Sequence, residues 1–212
     1  MILIGQFDSP FVRRIGVTLE LYGFSYEHRP WSTFGDADKI APFNPLMRVP
    51  TLVFDDGVVM ADTHPILFTL DAMVQPERRL TPADANGARE VWRLCGFISG
   101  VSDKAVQLFY VNVFAGGADP VFTNRLRAQI AQTMDLIEGE RAARNGDWWM
   151  GAGLTHADIA LGAMYRHFSE AYAGKLDFGR WPAIQAHSAR CEALPVFQKI
   201  FQPFIFTEPK ED

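Results

Sequence analysis

Apolar and polar positions change rhythm along this chain, and the order of the changes lays out two domains. Residues 2–7 open with a short β-prone run, and Asp8-Ser9-Pro10 reads as a loop entering a helix. Proline suits a first helical turn, where its missing N–H has no intrahelical bond to lose. Val12, Ile15, Leu19 and Tyr22 recur at helical spacing between Phe11 and Tyr22, and Gly23 stops the run. Ser25 to Arg29 predicts a second strand, and 31–48 is irregular with one helical turn near Asp36 to Ile40. Two β-rich runs, Val49 to Phe54 and Val58 to Met60, flank Asp55-Asp56-Gly57, a strong hairpin signal. Helical spacing returns over 64–74 through Ile66, Leu67, Leu70 and Met73. Strands of this kind flanked by helices predict a small α/β domain.

Residues 75–86 hold Pro76, Pro82 and several charges, the composition of a linker. Beyond it the pattern is helical over roughly 84–114, 120–144, 156–173, 181–191 and 193–200. Gly116-Gly117 and Gly151-Ala152-Gly153 break it. The expected organisation is an α/β domain over 1–75, a linker over 76–86 and an all-α helical domain over 87–212.

Composition narrows the function classes. With 48% hydrophobic residues, the chain can bury a substantial core. A formal net charge of −5 argues against a broad nucleic-acid surface, which needs clustered Lys and Arg, but leaves room for a local basic pocket. Cys95 and Cys191 form no CxxC pair and read as free thiols of a reducing compartment. The N-terminus lacks the basic segment of a signal peptide, and no apolar run approaches the ~20 residues that span a bilayer. The expected location is cytoplasmic, with no membrane partner. The five histidines make no metal set, and no metal is expected.

Three segments carry a family pattern. They are Ser9-Pro10-Phe11-Val12-Arg13-Arg14, then Asn44-Pro45-Leu46-Met47-Arg48-Val49-Pro50-Thr51-Leu52 with Asp62-Thr63, then Gly151 to Ile159 with Thr155-His156-Ala157-Asp158 inside it. In this order and spacing the chain resembles the cytosolic glutathione S-transferase superfamily, in its serine-type, bacterial-like form. The resemblance covers essentially the whole chain. It implies a thioredoxin-like N-terminal domain that holds glutathione as co-substrate, followed by the all-α domain. It also implies a cytoplasmic homodimer that conjugates glutathione to a small apolar electrophile in detoxification. A binding protein without catalysis, or a glutathione-dependent isomerase, lyase or peroxidase, uses the same fold.

The resemblance also assigns residues. Ser9 takes the catalytic position, stabilising the glutathione thiolate. A free thiol has a pKa of ~8.5, and lowering it by about two units needs about 2.7 kcal/mol. A hydroxyl hydrogen bond to a charged group supplies ~1.5–3 kcal/mol and a helix N-terminus ~0.3–2 kcal/mol, so the two together suffice. Ser9 also reads as a plain helix cap. Val49-Pro50 resembles the family's cis-proline turn, which presents the Val49 backbone to the tripeptide much as an added strand does, with an ordinary trans proline starting a strand as the other reading. Asp62 and Thr63 stand where the family holds the γ-glutamyl end, with a bare helix cap as the other reading. Arg48 stands near the glycyl carboxylate, or is a solvated surface charge, and Met47 replaces a frequent glycine. Arg13 and Arg14 read as salt-bridged or solvent-facing, with a place for one of them near the dimer interface or the thiol as the other reading. Phe97, Val101, Leu108 and Tyr110, with Phe109 and the tail residues Phe204 and Phe206, are candidates for an apolar second-substrate wall or for plain core. Thr155 and Asp158 form a capping box of structural value.

Overall fold

The computed structural model describes residues 1–114, 119–151 and 153–206; the predicted breaks at Gly116-Gly117 and Ala152 lie outside them. The chain divides into two units, Met1–Ala83 with the stretch from Glu192 on, and Asp84–Cys191.

The first unit contains β1 (Ile2–Ile4), α1 (Val12–Tyr22), β2 (Glu27–Arg29), α2 (Ala37–Ile40), β3 (Thr51–Val53), β4 (Val59–Ala61) and α3 (Thr63–Ala72). The sheet order is β2-β1-β3-β4. β1 and β2 are parallel because α1 carries the chain back between them. β3 runs antiparallel to both β1 and β4. The β3–β4 turn closes at Gly57, whose φ of 87° favours a residue without Cβ. Leu3, Ile4 and Leu52 on the sheet, Ile15 and Leu19 on α1, and Ile66, Leu67 and Leu70 on α3 are fully buried. α1 ends as the pattern predicts, with Gly23 left-handed at φ 74° and its N–H bonded to the Glu20 and Leu19 carbonyls.

The stretch from Glu192 on, grouped with the helical domain on sequence pattern alone, belongs to this first unit. Its helix α8 (Pro195–Lys199) packs on α1. The tie is Arg13, 3% exposed. Its guanidinium forms a forked ion pair with Glu192 at 2.6 and 2.7 Å and donates to the carbonyls of Ile200 (2.9 Å) and Phe197 (3.0 Å). A buried guanidinium needs acceptors, and the returning chain supplies them.

The second unit contains α4 (Ala85–Phe114), α5 (Pro120–Ala142), α6 (His156–Ala171) and all of α7 (Pro182–Glu192) except its last residue, with α4 packed against α5 and α6. Asp119 caps α5 by accepting from the Val121 N–H, one position ahead of Pro120. The buried Asp158 carboxylate accepts from the Thr155 N–H and hydroxyl, both at 2.7 Å, and from the Trp149 N–H. His187 is sealed beside it, accepting from Arg141 Nε at 3.0 Å. Burial, with the Arg141 and Arg190 guanidiniums, pulls the imidazole down to about 3. No helix among the described residues is long and apolar enough to cross a membrane.

Candidate functional site

Three strand ends converge at one edge of the first unit. Ile4 pairs with Thr51, and Thr51 pairs with Ala61. Because β3 runs against both neighbours, Gly5, Pro50 and Asp62 leave the sheet at the same end. Gly5 leads to Ser9, Val49 precedes Pro50, and Asp62 leads into α3. The sheet therefore gathers residues that lie far apart in sequence.

Gly5 sets the spacing at this edge. Its φ is +128°, and a Cβ there would lie 2.5 Å from Val12 Cγ2 and 2.8 Å from Val49 Cβ. The first turn of α1 and the turn at Val49 close on bare backbone. His28 Nε2 meets the Gly5 carbonyl at 2.8 Å, and its ring stacks on Phe7 with centroids 3.8 Å apart. Burial holds this imidazole below its ordinary value, so the neutral ring donates its Nε2–H to that carbonyl.

Ser9 is half-buried at the entry to α1. Its Oγ accepts from the N–H groups of Phe11 (3.3 Å) and Val12 (3.4 Å), both at the long end for such bonds. Among the described residues no group accepts the Ser9 O–H. The hydroxyl thus has donors behind it and a proton to give.

The Val49–Pro50 bond is cis. Among the described residues the Val49 N–H and C=O find no hydrogen-bond partner. Asn44 shapes the approach to this turn. Its buried amide donates to the Arg48 carbonyl (3.1 Å) and Thr51 Oγ1 (3.0 Å) and accepts from the Leu46 N–H (3.0 Å). Thr51 Oγ1 donates to the same Arg48 carbonyl at 2.9 Å. The Arg48 side chain is exposed. Met47 is left-handed at φ 49°, a conformation that glycine adopts without strain.

Asp62 is exposed and has φ 74° with ψ 143°, an unfavourable backbone for a residue with a Cβ. Thr63, the first residue of α3, is 2% exposed, and its Oγ1 has no hydrogen-bond partner. The leading N–H groups of a helix also have no intrahelical acceptor. Strained backbone and an orphaned hydroxyl thus sit side by side.

Phe97, Val101, Leu108 and Tyr110 all lie on α4 in the second unit. Val101 and Leu108 are buried among its core residues, Phe97 is exposed, and Tyr110 is half-buried with its ring edge-on to Phe109.

Two family models match this chain: the glutathione S-transferase N-terminal domain over residues 8–73 and the glutathione S-transferase C-terminal domain over residues 120–190. The chain belongs to the glutathione S-transferase superfamily. Its fold, a small mixed sheet with helices followed by a helical domain, is that of the superfamily. A glutathione S-transferase from Methylobacterium radiotolerans, solved in complex with glutathione sulfonate, is 26% identical and covers 100% of this superfamily member and 98% of its own chain, with a TM-score of 0.90. One from Methylobacillus flagellatus with glutathione bound shares the fold at 22% identity, covering 96% and 99% of the two chains with a TM-score of 0.84. An uncharacterized GST-like protein of Escherichia coli, YibF, is 28% identical over 142 residues, which are 66% of this chain and 69% of that protein.

Gly5 and Asn44 build this edge of the superfamily member, and neither was a candidate site residue on sequence; Arg13 instead holds the returning chain. Gly5 directly after a strand and Asn44 directly before a proline are the local signals that point to tight turns. Arg13 has no such signal, because its partner Glu192 stands at the far end of the chain.

Proposed function

We propose that the first unit binds glutathione along the sheet edge formed by Ser9, Val49 and Thr63, and that Ser9 stabilises its thiolate. In this reading the sulfur attacks the electrophilic carbon of a small apolar substrate and the leaving group departs with its electron pair. The observation that carries the reading is the Ser9 hydroxyl, backed by the Phe11 and Val12 N–H groups at the entry to α1 and left with an O–H to donate. The unpaired Val49 N–H and C=O suit the backbone of a tripeptide. The orphaned Thr63 hydroxyl and the start of α3 suit the γ-glutamyl carboxylate, with Asp62 for its ammonium group. Arg48 is the candidate for the glycyl carboxylate. The two relatives solved with glutathione or its sulfonate support the ligand class. The second-substrate wall is assigned to Phe97 and Tyr110, with Val101 and Leu108 as its backing. The reading extends to a homodimer, testable by light scattering.

The experiment is calorimetry and turnover on Ser9→Ala with glutathione and a chlorodinitrobenzene. Loss of a hydrogen bond to a charged group, worth ~1.5–3 kcal/mol, is expected to lower turnover by about ten- to a hundredfold. Glutathione affinity is expected to stay within about threefold, since the bond matters most to the anion. Equal turnover in the two proteins removes Ser9 from the mechanism. Its two N–H contacts also fit a helix cap in a protein that binds without catalysis. That reading predicts glutathione binding with no turnover in the wild type.

A further inference from the structure

The loop from Gly5 to Pro10 carries Ser9 but is poorly held from within. Its internal backbone bond, Ser9 N–H to the Gln6 carbonyl, is 3.2 Å long, and the contacts of Ser9 Oγ are longer still. Beside the His28 contacts with Gly5 and Phe7, two ties come from the other end of the chain. The Phe7 N–H donates to Gln202 Oε1 at 3.0 Å, and the Asp8 carboxylate accepts from the Ile205 N–H at 3.0 Å. Each of the two residues directly before Ser9 is therefore tethered to the C-terminal segment.

That segment is itself anchored. Arg13 grips the Phe197 and Ile200 carbonyls just ahead of it. A Cβ on Gly16 would lie 2.7 Å from the Phe7 ring and 3.0 Å from Ile200 Cγ2, so α1, Phe7 and the returning chain meet without space between them. Burial then alternates along 201–206: Phe201, Pro203 and Ile205 are exposed, while Gln202, Phe204 and Phe206 are half-buried. This is an extended strap lying with one side against the unit.

We propose that Gln202 and Asp8 are positioning residues for the thiol site, the C-terminal strap fixing the backbone from which Ser9 donates. The proposal rests on the reading of Ser9 as a thiolate stabiliser. A hydroxyl bond to an anion weakens steeply with misalignment, and a supporting shell decides whether the donor stays aimed. Here the helix start holds Ser9 by two long bonds to Oγ and by the Arg13 N–H on its carbonyl at 3.1 Å, and the tethers at Phe7 and Asp8 fix the two residues directly before it. Neither tether touches the glutathione positions at Val49 or Thr63. Losing one should therefore affect the anion more than the tripeptide.

The test is Gln202→Met in the full chain. The side chain is half-buried, and Met keeps its length while removing the acceptor for Phe7. Ultraviolet titration of bound glutathione thiolate gives the pKa, calorimetry gives affinity, and rates with a chlorodinitrobenzene give kcat and KM. The expected result is a thiol pKa raised by about one unit, a tenfold smaller thiolate fraction below it. kcat should fall in proportion at neutral pH, with glutathione affinity within about threefold of wild type. Amide exchange at Phe7 should quicken in the same variant. A titration that superimposes on wild type overturns the proposal while leaving the function intact. A wild-type protein that binds no glutathione sinks the functional reading, and the proposal with it.

Discussion

Gly5 and Val49 approach so closely that a Cβ on the glycine would sit 2.8 Å from Cβ of the valine. Only a residue with no side chain lets the end of β1 lie against the cis turn while keeping φ at +128°. This packing joins the Ser9 loop to the Val49 backbone. Gly5→Ala must both strain the backbone and push Val12 or Val49 away. The expected loss is at least about 2 kcal/mol of stability. Glutathione affinity should fall with it, because Val49 moves. Chemical denaturation with parallel calorimetry measures both, and an unchanged midpoint would show that the edge is softer than its geometry.

Thr63 separates ligand chemistry from folding. A buried hydroxyl without a partner destabilises the free protein, whereas one that meets a ligand improves the complex. Thr63→Val keeps the shape and removes the hydroxyl. The free protein is expected to hold its stability or gain about 1 kcal/mol, and glutathione affinity to fall roughly tenfold. Unchanged affinity would move the γ-glutamyl end elsewhere.

Arg13 and Glu192 form an unequal pair, with side-chain exposures of 4% and 22%. Removing the carboxylate strands a guanidinium in the interior, although two carbonyls still accept from it. Glu192→Ala is expected to lose about 3 kcal/mol. Adding Arg13→Met should recover part of that loss, because the buried charge leaves with its partner. Urea unfolding of the single and double variants reads the coupling; strict additivity would deny it.

Acid should act through His187. Its folded value is about 3, against an ordinary ~6.5 in the unfolded chain. Between those values the unfolded chain binds a proton that the folded chain refuses. The contribution is full above about pH 6.5 and is lost as pH falls toward 3, at up to about 1.4 kcal/mol per pH unit. Asp158 works in the opposite sense. Burial raises its carboxyl above the usual range, so its share of stability declines as pH climbs through that raised value. His187→Gln should flatten the acid limb of a stability–pH curve relative to wild type. Parallel curves would mean that another group governs acid unfolding.

Local pattern carried much of this protein. Helical spacing from Val12 to Tyr22 with Gly23 behind it gave α1 almost to the residue, and Asp55-Asp56-Gly57 gave the β3–β4 turn. Those signals work because helix stops and hairpin turns depend on a few adjacent dihedrals. The family motifs likewise lie in short contiguous stretches, so Ser9, Val49-Pro50 and Asp62-Thr63 were candidates from sequence. The positive φ of Asp62 and Met47 was not fixed there, since Asp adopts such a φ more often than most residues but still uncommonly, and Met47 in place of a frequent glycine flags the position without giving its backbone.

By itself, then, the sequence determined the elements, their order, the superfamily pattern and the segments that could meet glutathione. Only the tertiary structure decided that the stretch from Glu192 on returns to the first unit, and that Gln202 and Ile205 tether the loop before Ser9. The physical reason is range. Helix and turn propensities are settled within a few residues of chain. The acceptors of a buried guanidinium, and the fit of Val49 against Gly5, depend on which distant segments the core brings together.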